Sequence, residues 1–266
     1  MIPAMAIEEW YSQAPWKDWF QVEQDLLICR CVVAIFQDEF LASQLAFRGG
    51  TAMHKLYFHP QPRYSEDIDL VQIHPGPIKP ILQRLGEVLA FLPDKIVKQK
   101  HFSNVLLFRV DSEYPPVTQL RLKVEINCCE HFTLLGYVKH PFAVKNTWFS
   151  GECQVTTYQL EEMLATKLRA LYQRRKGRDL FDLQYALNHP PLDLAKLLDC
   201  YHRHIAATDD RPPSYRQFIA NMEAKILLSD YRDSTIPMLR PGIDFDPVAA
   251  YALVRERLLE RLPGRR

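Results

Sequence analysis

An excess of charge of one sign is what this sequence most plainly lacks. Its 266 residues carry 33 Lys and Arg against 32 Asp and Glu, a formal net charge of +1. No global field therefore draws the chain onto nucleic acid or an anionic membrane, and any nucleic-acid contact has to come from a local patch. Long hydrophobic runs are missing too. Stretches such as Cys31-Val-Val-Ala-Ile-Phe36 are far too short to span a bilayer. The opening Met1-Ile-Pro-Ala-Met-Ala-Ile7 runs into Glu8-Glu9 rather than an apolar core, which predicts no secretory signal and a cytoplasmic protein with reduced thiols. The six cysteines, at 29, 31, 128, 129, 153 and 200, lack zinc-site spacing, and His202 and His204, two apart, point to different sides of a helix. Neither a repeat nor a low-complexity segment interrupts the chain.

What is present is ordinary globular composition, 47% hydrophobic and 24% charged, in a length that suits one large domain or two modest ones. Helical spacing predicts a long helix from Trp19 to Ser43, and Leu45-Ala-Phe-Arg48 reads as a short buried strand. Thr51 to Phe58 reads as a helix with Gly50 or Thr51 near its N-cap. A strand follows at Asp67–Val71, then a helix at 78–91, then strands at 95–100, 105–110 and 119–127. The last alternates Leu120, Leu122, Val124 and Ile126 with Arg121, Lys123, Glu125 and Asn127, which places Glu125 opposite the apolar row. After about residue 155 the pattern turns helical, with helices expected at 160–174, 179–188, 192–204, 215–228 and 247–262. The organisation expected is α+β: an α/β lobe with a mixed sheet over residues 1–155 and an all-helical lobe over 156–266.

The chemistry concentrates in Phe47-Arg-Gly-Gly-Thr-Ala-Met-His-Lys-Leu-Tyr57 and Arg63-Tyr-Ser-Glu-Asp-Ile-Asp-Leu70. Residues two apart on a strand share a face, so Asp67 and Asp69 point the same way. Asp is unfavourable inside strands, and a pair that breaks local propensity marks function. Two carboxylates beside a glycine turn suit nucleotide transfer, in which acids hold magnesium and backbone N–H groups approach phosphate. A third acid has to come from a neighbouring strand, and Glu125 is the best placed. Further on, Leu164, Leu168 and Leu171 form a buried helical stripe flanked by Lys167, whose ammonium suits a nucleotide phosphate. Gly177 reads as the end of that helix. Asp179 and Asp182 open the next, and there Asp179 also fits as a first-turn acid complementing the helix dipole. The basic run Arg174-Arg-Lys-Gly-Arg178 reads equally as a solvated helix end or a phosphate-backbone contact.

Together Gly49-Gly-Thr-Ala-Met-His-Lys-Leu-Tyr57, Arg63-Tyr-Ser-Glu-Asp-Ile-Asp69, Lys123-Val-Glu-Ile-Asn127, Leu164–Leu171 and Arg178-Asp-Leu-Phe-Asp182 resemble the AbiEii/AbiGii nucleotidyltransferase toxins, MenT-type proteins among them. The resemblance covers about residues 40–190. It implies a polymerase-β-like nucleotidyltransferase fold, an NTP substrate, Mg2+ (or Mn2+), and a type IV toxin held in check by an AbiEi-type antitoxin. MenT-type members act on the acceptor end of tRNA, which makes tRNA or another RNA the implied acceptor and a membrane role unexpected. Carried onto this sequence, it assigns Asp67, Asp69 and Glu125 to metal and catalysis. It assigns Gly49, Gly50, Thr51, Lys55, Arg63, Ser65, Lys167 and Arg178 to the nucleotide. Asp182 is the preferred final acid, with Asp179 the alternative. Two other readings keep their place: transfer to a protein or small-molecule hydroxyl, and a non-catalytic nucleotide sensor.

Overall fold

The computed structural model describes residues 2–189, 191–207 and 212–262. They divide into two compact units, Met1–Tyr158 and Gln159–Arg266. The first contains helices α1 (Ala4–Tyr11), α2 (Trp19–Gln37), α3 (Glu39–Gln44), α4 (Gly49–Leu56) and α5 (Lys79–Val88). Its strands are β1 (Leu45–Arg48), β2 (Asp67–Gln72), β3 (Ile96–Gln99), β4 (Ser103–Asp111), β5 (Gln119–Asn127), β6 (Tyr137–Lys145) and β7 (Ser150–Tyr158). They form one mixed seven-stranded sheet, ordered β3-β4-β5-β2-β1-β7-β6. Strand β2 runs parallel to β5 and β1 parallel to β7, while the other pairs are antiparallel. The α+β architecture with a mixed sheet is therefore as expected.

The two faces of this sheet differ because the sequence alternates. Leu120, Leu122, Val124 and Ile126 are all 2% exposed or less, as are Phe47, Ile68 and Leu70. Burying each such side chain contributes about 1.5–3 kcal/mol. A one-residue slip of β5 would turn its four apolar side chains to the other face, so the register is strongly fixed. Phe36 of α2 meets Phe47 with ring centroids 6.4 Å apart, which places α2 on this apolar face. Arg48, Asp67, Asp69, Arg121, Lys123 and Glu125 belong to the opposite face, where each is half-buried or exposed.

Buried charge ties α4 to α2. Lys55 Nζ lies 2.9 Å from Asp25 Oδ2 of α2, and Asp25 also accepts a hydrogen bond from Trp10 Nε1 at 3.0 Å. Lys55 was expected to meet the nucleotide; the structure instead commits its ammonium to this pair, which is almost wholly enclosed. The expected single helix from Trp19 to Ser43 is two helices. Asp38 breaks it, because its extended backbone ends α2 while its carboxylate accepts from Leu41 N–H at 2.9 Å and caps α3. Helix α4 starts at Gly49 with Arg48 as its N-cap, earlier than Gly50 or Thr51. The hairpin β6–β7 was not anticipated. Pro141 argues against a strand from sequence, yet β6 is the sheet's outer strand, where a proline is tolerated.

The second unit is helical: α6 (Leu160–Gln173), α7 (Gly177–Asn188), α8 (Leu194–Ala206), α9 (Tyr215–Ile226), α10 (Ser229–Asp233) and α11 (Pro247–Arg257), with 3-10 turns at Ile236–Met238 and Leu259–Arg261. Leu164, Leu168 and Leu171 form the fully buried stripe expected of α6. Lys225 from α9 donates to the carbonyls of Leu171 (2.6 Å) and Tyr172 (2.8 Å), supplying the donors that the end of α6 lacks. Burial pushes this amine down to about 8. Gly177 does not terminate α6; it opens α7. A side chain there would strike the carbonyl of Tyr231 and approach Ser234 Oγ and Thr235 Oγ1 to 3.0 Å, so this glycine serves close packing on the α10 segment. Helix α6 ends earlier, at the extended Arg174. Among the described residues no helix is long and apolar enough to cross a membrane.

Candidate active site

In the first unit the candidate acids come together on adjacent strands. The parallel register of β2 and β5 sets Asp67 opposite Lys123 and Asp69 opposite Glu125, and the antiparallel register of β1 sets Arg48 opposite Asp69. Five charged positions thus neighbour one another on the face away from α2, with Glu125 carried by the strand beside β2.

Lys123 is the residue that the sequence reasoning left out. Its ammonium lies 3.0 Å from Asp67 Oδ2 and 3.3 Å from Glu125 Oε2, bridging the two strands. Burial pulls its pKa down, but the carboxylates of Asp67, Asp69 and Glu125 together raise it. Its parity with Glu125 was legible in the alternation of β5; that β2 is the neighbour was not. Glu125 is further held by Ser103 Oγ (2.7 Å) and Lys100 Nζ (3.0 Å). Burial raises its pKa, and these donors together with Lys123 bring it below the usual carboxylate range.

Asp69 differs from both neighbours. Among the described residues it accepts no hydrogen bond and forms no ion pair, although Arg48 and Lys123 are close enough to act through their charge. Burial and the like charge of Asp67 raise its pKa. Arg48 is directed instead to Glu130, 2.6 Å away. Asp69 is therefore a half-buried carboxylate whose lone pairs the fold leaves unused.

Gly49 makes that position possible. Its φ is +77°, and a Cβ built on it would lie 2.6 Å from Asp69 Oδ2. Only glycine satisfies both the left-handed backbone and the close approach of the carboxylate to the start of α4. Gly49→Ala is expected to cost at least the roughly 1–2 kcal/mol of a left-handed non-glycine residue. Thermal denaturation then reads a fall in Tm of roughly 2–8 °C.

The remaining expected residues of this unit serve the scaffold around the acids. Thr51 Oγ1 donates to the carbonyl of Asp67 at 2.5 Å and bonds Ser65 Oγ at 2.7 Å. Since Thr51 has one proton and gives it to Asp67, Ser65 is the donor to Thr51. The two hydroxyls pin the start of β2 against α4. Arg63 is 1% exposed, with Nη1 donating to the Tyr64 carbonyl at 2.9 Å.

In the helical unit, Lys167, Asp179 and Asp182 form a buried network. Lys167 Nζ lies 3.1 Å from Asp179 Oδ1 and 2.8 Å from Asp182 Oδ2, and both acids are fully enclosed. Arg174 adds Nε at 2.6 Å from Asp179 Oδ2 and Nη2 at 2.7 Å from Oδ1, a two-pronged contact. Burial works against the Asp179 carboxylate, but Lys167 and Arg174 hold it below the usual range. The sequence set Asp179 and Asp182 as alternatives; the structure binds both to the same lysine. Arg178 is half-buried in the first turn of α7.

Comparison with known proteins bears on the fold and the family. The model of the nucleotidyl transferase AbiEii toxin family, type IV TA system, matches residues 30–252. No curated protein sequence matches the chain. Among solved structures, MenT4, a nucleotidyltransferase toxin of Mycobacterium tuberculosis, superposes with a TM-score of 0.67 at 18% identity, over 92% of this chain and 86% of that one. JHP933 from Helicobacter pylori superposes with a TM-score of 0.50 at 16% identity, over 91% of this chain and 94% of its own. The fold is shared despite low identity, the family model spans most of the chain, and the conclusion follows that this protein belongs to the AbiEii family of nucleotidyltransferase toxins of type IV toxin–antitoxin systems.

Proposed function

We propose that this nucleotidyltransferase moves a nucleotide from an NTP onto an RNA, with the 3′ end of tRNA as the acceptor. In this reading it depends on Mg2+ (or Mn2+) held by Asp67, Asp69 and Glu125, acts in the cytoplasm, and is neutralised by an AbiEi-type antitoxin. One observation carries the chemical part: three carboxylates on one face of the paired strands β2 and β5, with Asp69 kept unpartnered against the glycine turn. Resemblance to the MenT-type proteins supports the acceptor.

The donor set suits a hard divalent cation, since it is all carboxylate oxygen without thiolate or imidazole. Among the described residues no three such side chains converge to chelating distance as they stand, and the Lys123 ammonium occupies the space between Asp67 and Glu125. Lys123 thus supplies positive charge where a cation would supply more of it. When bound, Mg2+ would neutralise triphosphate charge and lower the pKa of the attacking hydroxyl.

The residues of the chain divide the remaining work. Gly49, whose α-carbon already meets the Asp69 carboxylate, and Gly50 are proposed to let a phosphate approach the first backbone N–H groups of α4. Thr51 and Ser65 contribute by holding that turn, because their hydroxyls are spent on each other and on Asp67. Lys167 is proposed as the ammonium that the helical unit offers to the phosphates, with Arg178 assisting and Asp182 or Asp179 orienting it.

The test is incorporation of labelled NTP into total tRNA with Mg2+, comparing wild type with Asp67→Ala. Wild type is expected to label tRNA and the variant to lose at least about 1000-fold. Label in protein or in a small molecule instead would move the acceptor to another class. NTP binding by calorimetry without any transfer would leave a nucleotide sensor.

A further inference from the structure

Strands β4 and β5 place Arg109 directly opposite Arg121, on the sheet face that also carries Asp67, Asp69 and Glu125. Like charges facing each other across an antiparallel pair are destabilising, and a protein without use for them would separate or balance them. Neither is done here. Both arginines are exposed, and among the described residues neither makes an ion pair. The acid on the same face beyond them, Asp111, pairs across the strands with Gln119 and is not within ion-pair distance of either. Lys98, which faces Val105 next to Glu125, is also exposed and unpaired. A chain with a net charge of only +1 therefore keeps three uncompensated cations on one face of one sheet. Lys100 and Lys123, their basic neighbours on that face, are spent on Glu125 and Asp67.

Spacing identifies what would neutralise them. Arg121 and Glu125 are four residues apart on one strand, about 13 Å at roughly 3.3 Å per residue. A phosphate contacted by Arg109 and Arg121 therefore lies well away from the reaction centre. That distance matches a polyanion extended across the sheet, with one end at the acids. We infer that the Arg109–Arg121 pair, with Lys98, holds the phosphodiester backbone of the acceptor nucleic acid and so aims its terminal hydroxyl at Asp67, Asp69 and Glu125. This rests on the RNA-acceptor reading proposed above. Guanidinium suits the task because its planar fork engages phosphate oxygens bidentately. Neither arginine touches the reacting atoms, so each is a positioning residue.

The experiment uses Arg109→Gln/Arg121→Gln in the full chain, with three readouts: anisotropy of fluorescein-labelled total tRNA over a salt series, steady-state transfer of labelled NTP, and calorimetry of NTP alone. The expected result is a loss of tRNA affinity of about tenfold or more and a matching rise in the KM for tRNA. The slope of log affinity against log salt falls by roughly one to two, while kcat and NTP affinity hold. Removing a like-charged surface pair leaves Tm unchanged or raises it, so misfolding does not obscure the result. Unchanged tRNA affinity and salt slope in the variant, with wild type binding and labelling tRNA normally, overturn this inference alone. Loss of NTP affinity instead shows that the pair reads the nucleotide's own phosphates, and also overturns it. A wild-type protein that neither binds nor labels any RNA overturns the inference together with the acceptor reading beneath it.

Discussion

Asp69→Asn is expected to eliminate nucleotide transfer while leaving the protein as stable as wild type or more so. The two effects have one origin. Burial and the charge of Asp67 raise the pKa of Asp69, so keeping it ionised costs the folded state free energy. Worked through by linkage, a carboxyl whose folded pKa lies above its unfolded value gives its stabilisation below the unfolded pKa and loses it as pH rises through the folded pKa. At neutral pH Asp69 is on the unfavourable side of that window. Asparagine keeps the shape and removes the charge. Transfer should drop by at least about 1000-fold, as for other groups that stabilise developing charge. The difference in Tm between variant and wild type should be largest near neutral pH and shrink on acidification. A variant that retains more than a tenth of wild-type transfer would sink the assignment of Asp69 to the reacting centre. A large fall in Tm would instead show that the carboxylate is structural.

The second large effect is on folding of the helical unit. Lys167→Met removes the ammonium that sits between Asp179 and Asp182, both fully buried. Breaking a buried pair by deleting one partner costs about 3–5 kcal/mol, because a charge is left enclosed without compensation. For a unit of this size 1 kcal/mol moves Tm by roughly 4–8 °C, so a fall of more than 10 °C is expected. Arg174 still holds Asp179 at both carboxylate oxygens, so the share of Asp182 in the loss is the quantity to measure. Lys167→Met/Asp182→Asn should recover that share, and a double-mutant cycle by chemical denaturation measures the coupling. Acid acts on the same network. Asp179 has a folded pKa below the usual carboxylate range, so its contribution is full above the unfolded value and disappears as pH falls through the folded one. Melting curves at decreasing pH should show this unit losing stability first in the strongly acidic range. A Lys167→Met protein that melts like wild type would show that the two acids are satisfied without the lysine.

The Lys55–Asp25 pair marks what a motif read residue by residue leaves open. Lys55 lies four positions after Thr51 in the segment that resembles the family, and sequence gave no means of separating a lysine aimed at a ligand from one aimed at the core. In the structure its ammonium is enclosed against Asp25, thirty positions away in the chain, a contact that no local spacing reveals. Gly177 is similar. A glycine after a basic helix end suggests a left-handed cap, yet its actual constraint is the Tyr231 carbonyl packed against its α-carbon.

From the chain alone came the elements whose signals are local. The alternation of β5 fixed its faces, the Leu164–Leu168–Leu171 stripe fixed α6, and the Asp-x-Asp pair after a glycine turn fixed the kind of chemistry, since period and propensity act within a few residues. Tertiary structure decided which strand lies beside which. Only the parallel pairing of β2 with β5 brings Lys123 between Asp67 and Glu125, and only the approach of β2 to α4 makes Gly49 indispensable. Those outcomes depend on contacts between residues tens of positions apart, and strand pairing is set by burying the whole apolar face at once, which no local pattern encodes.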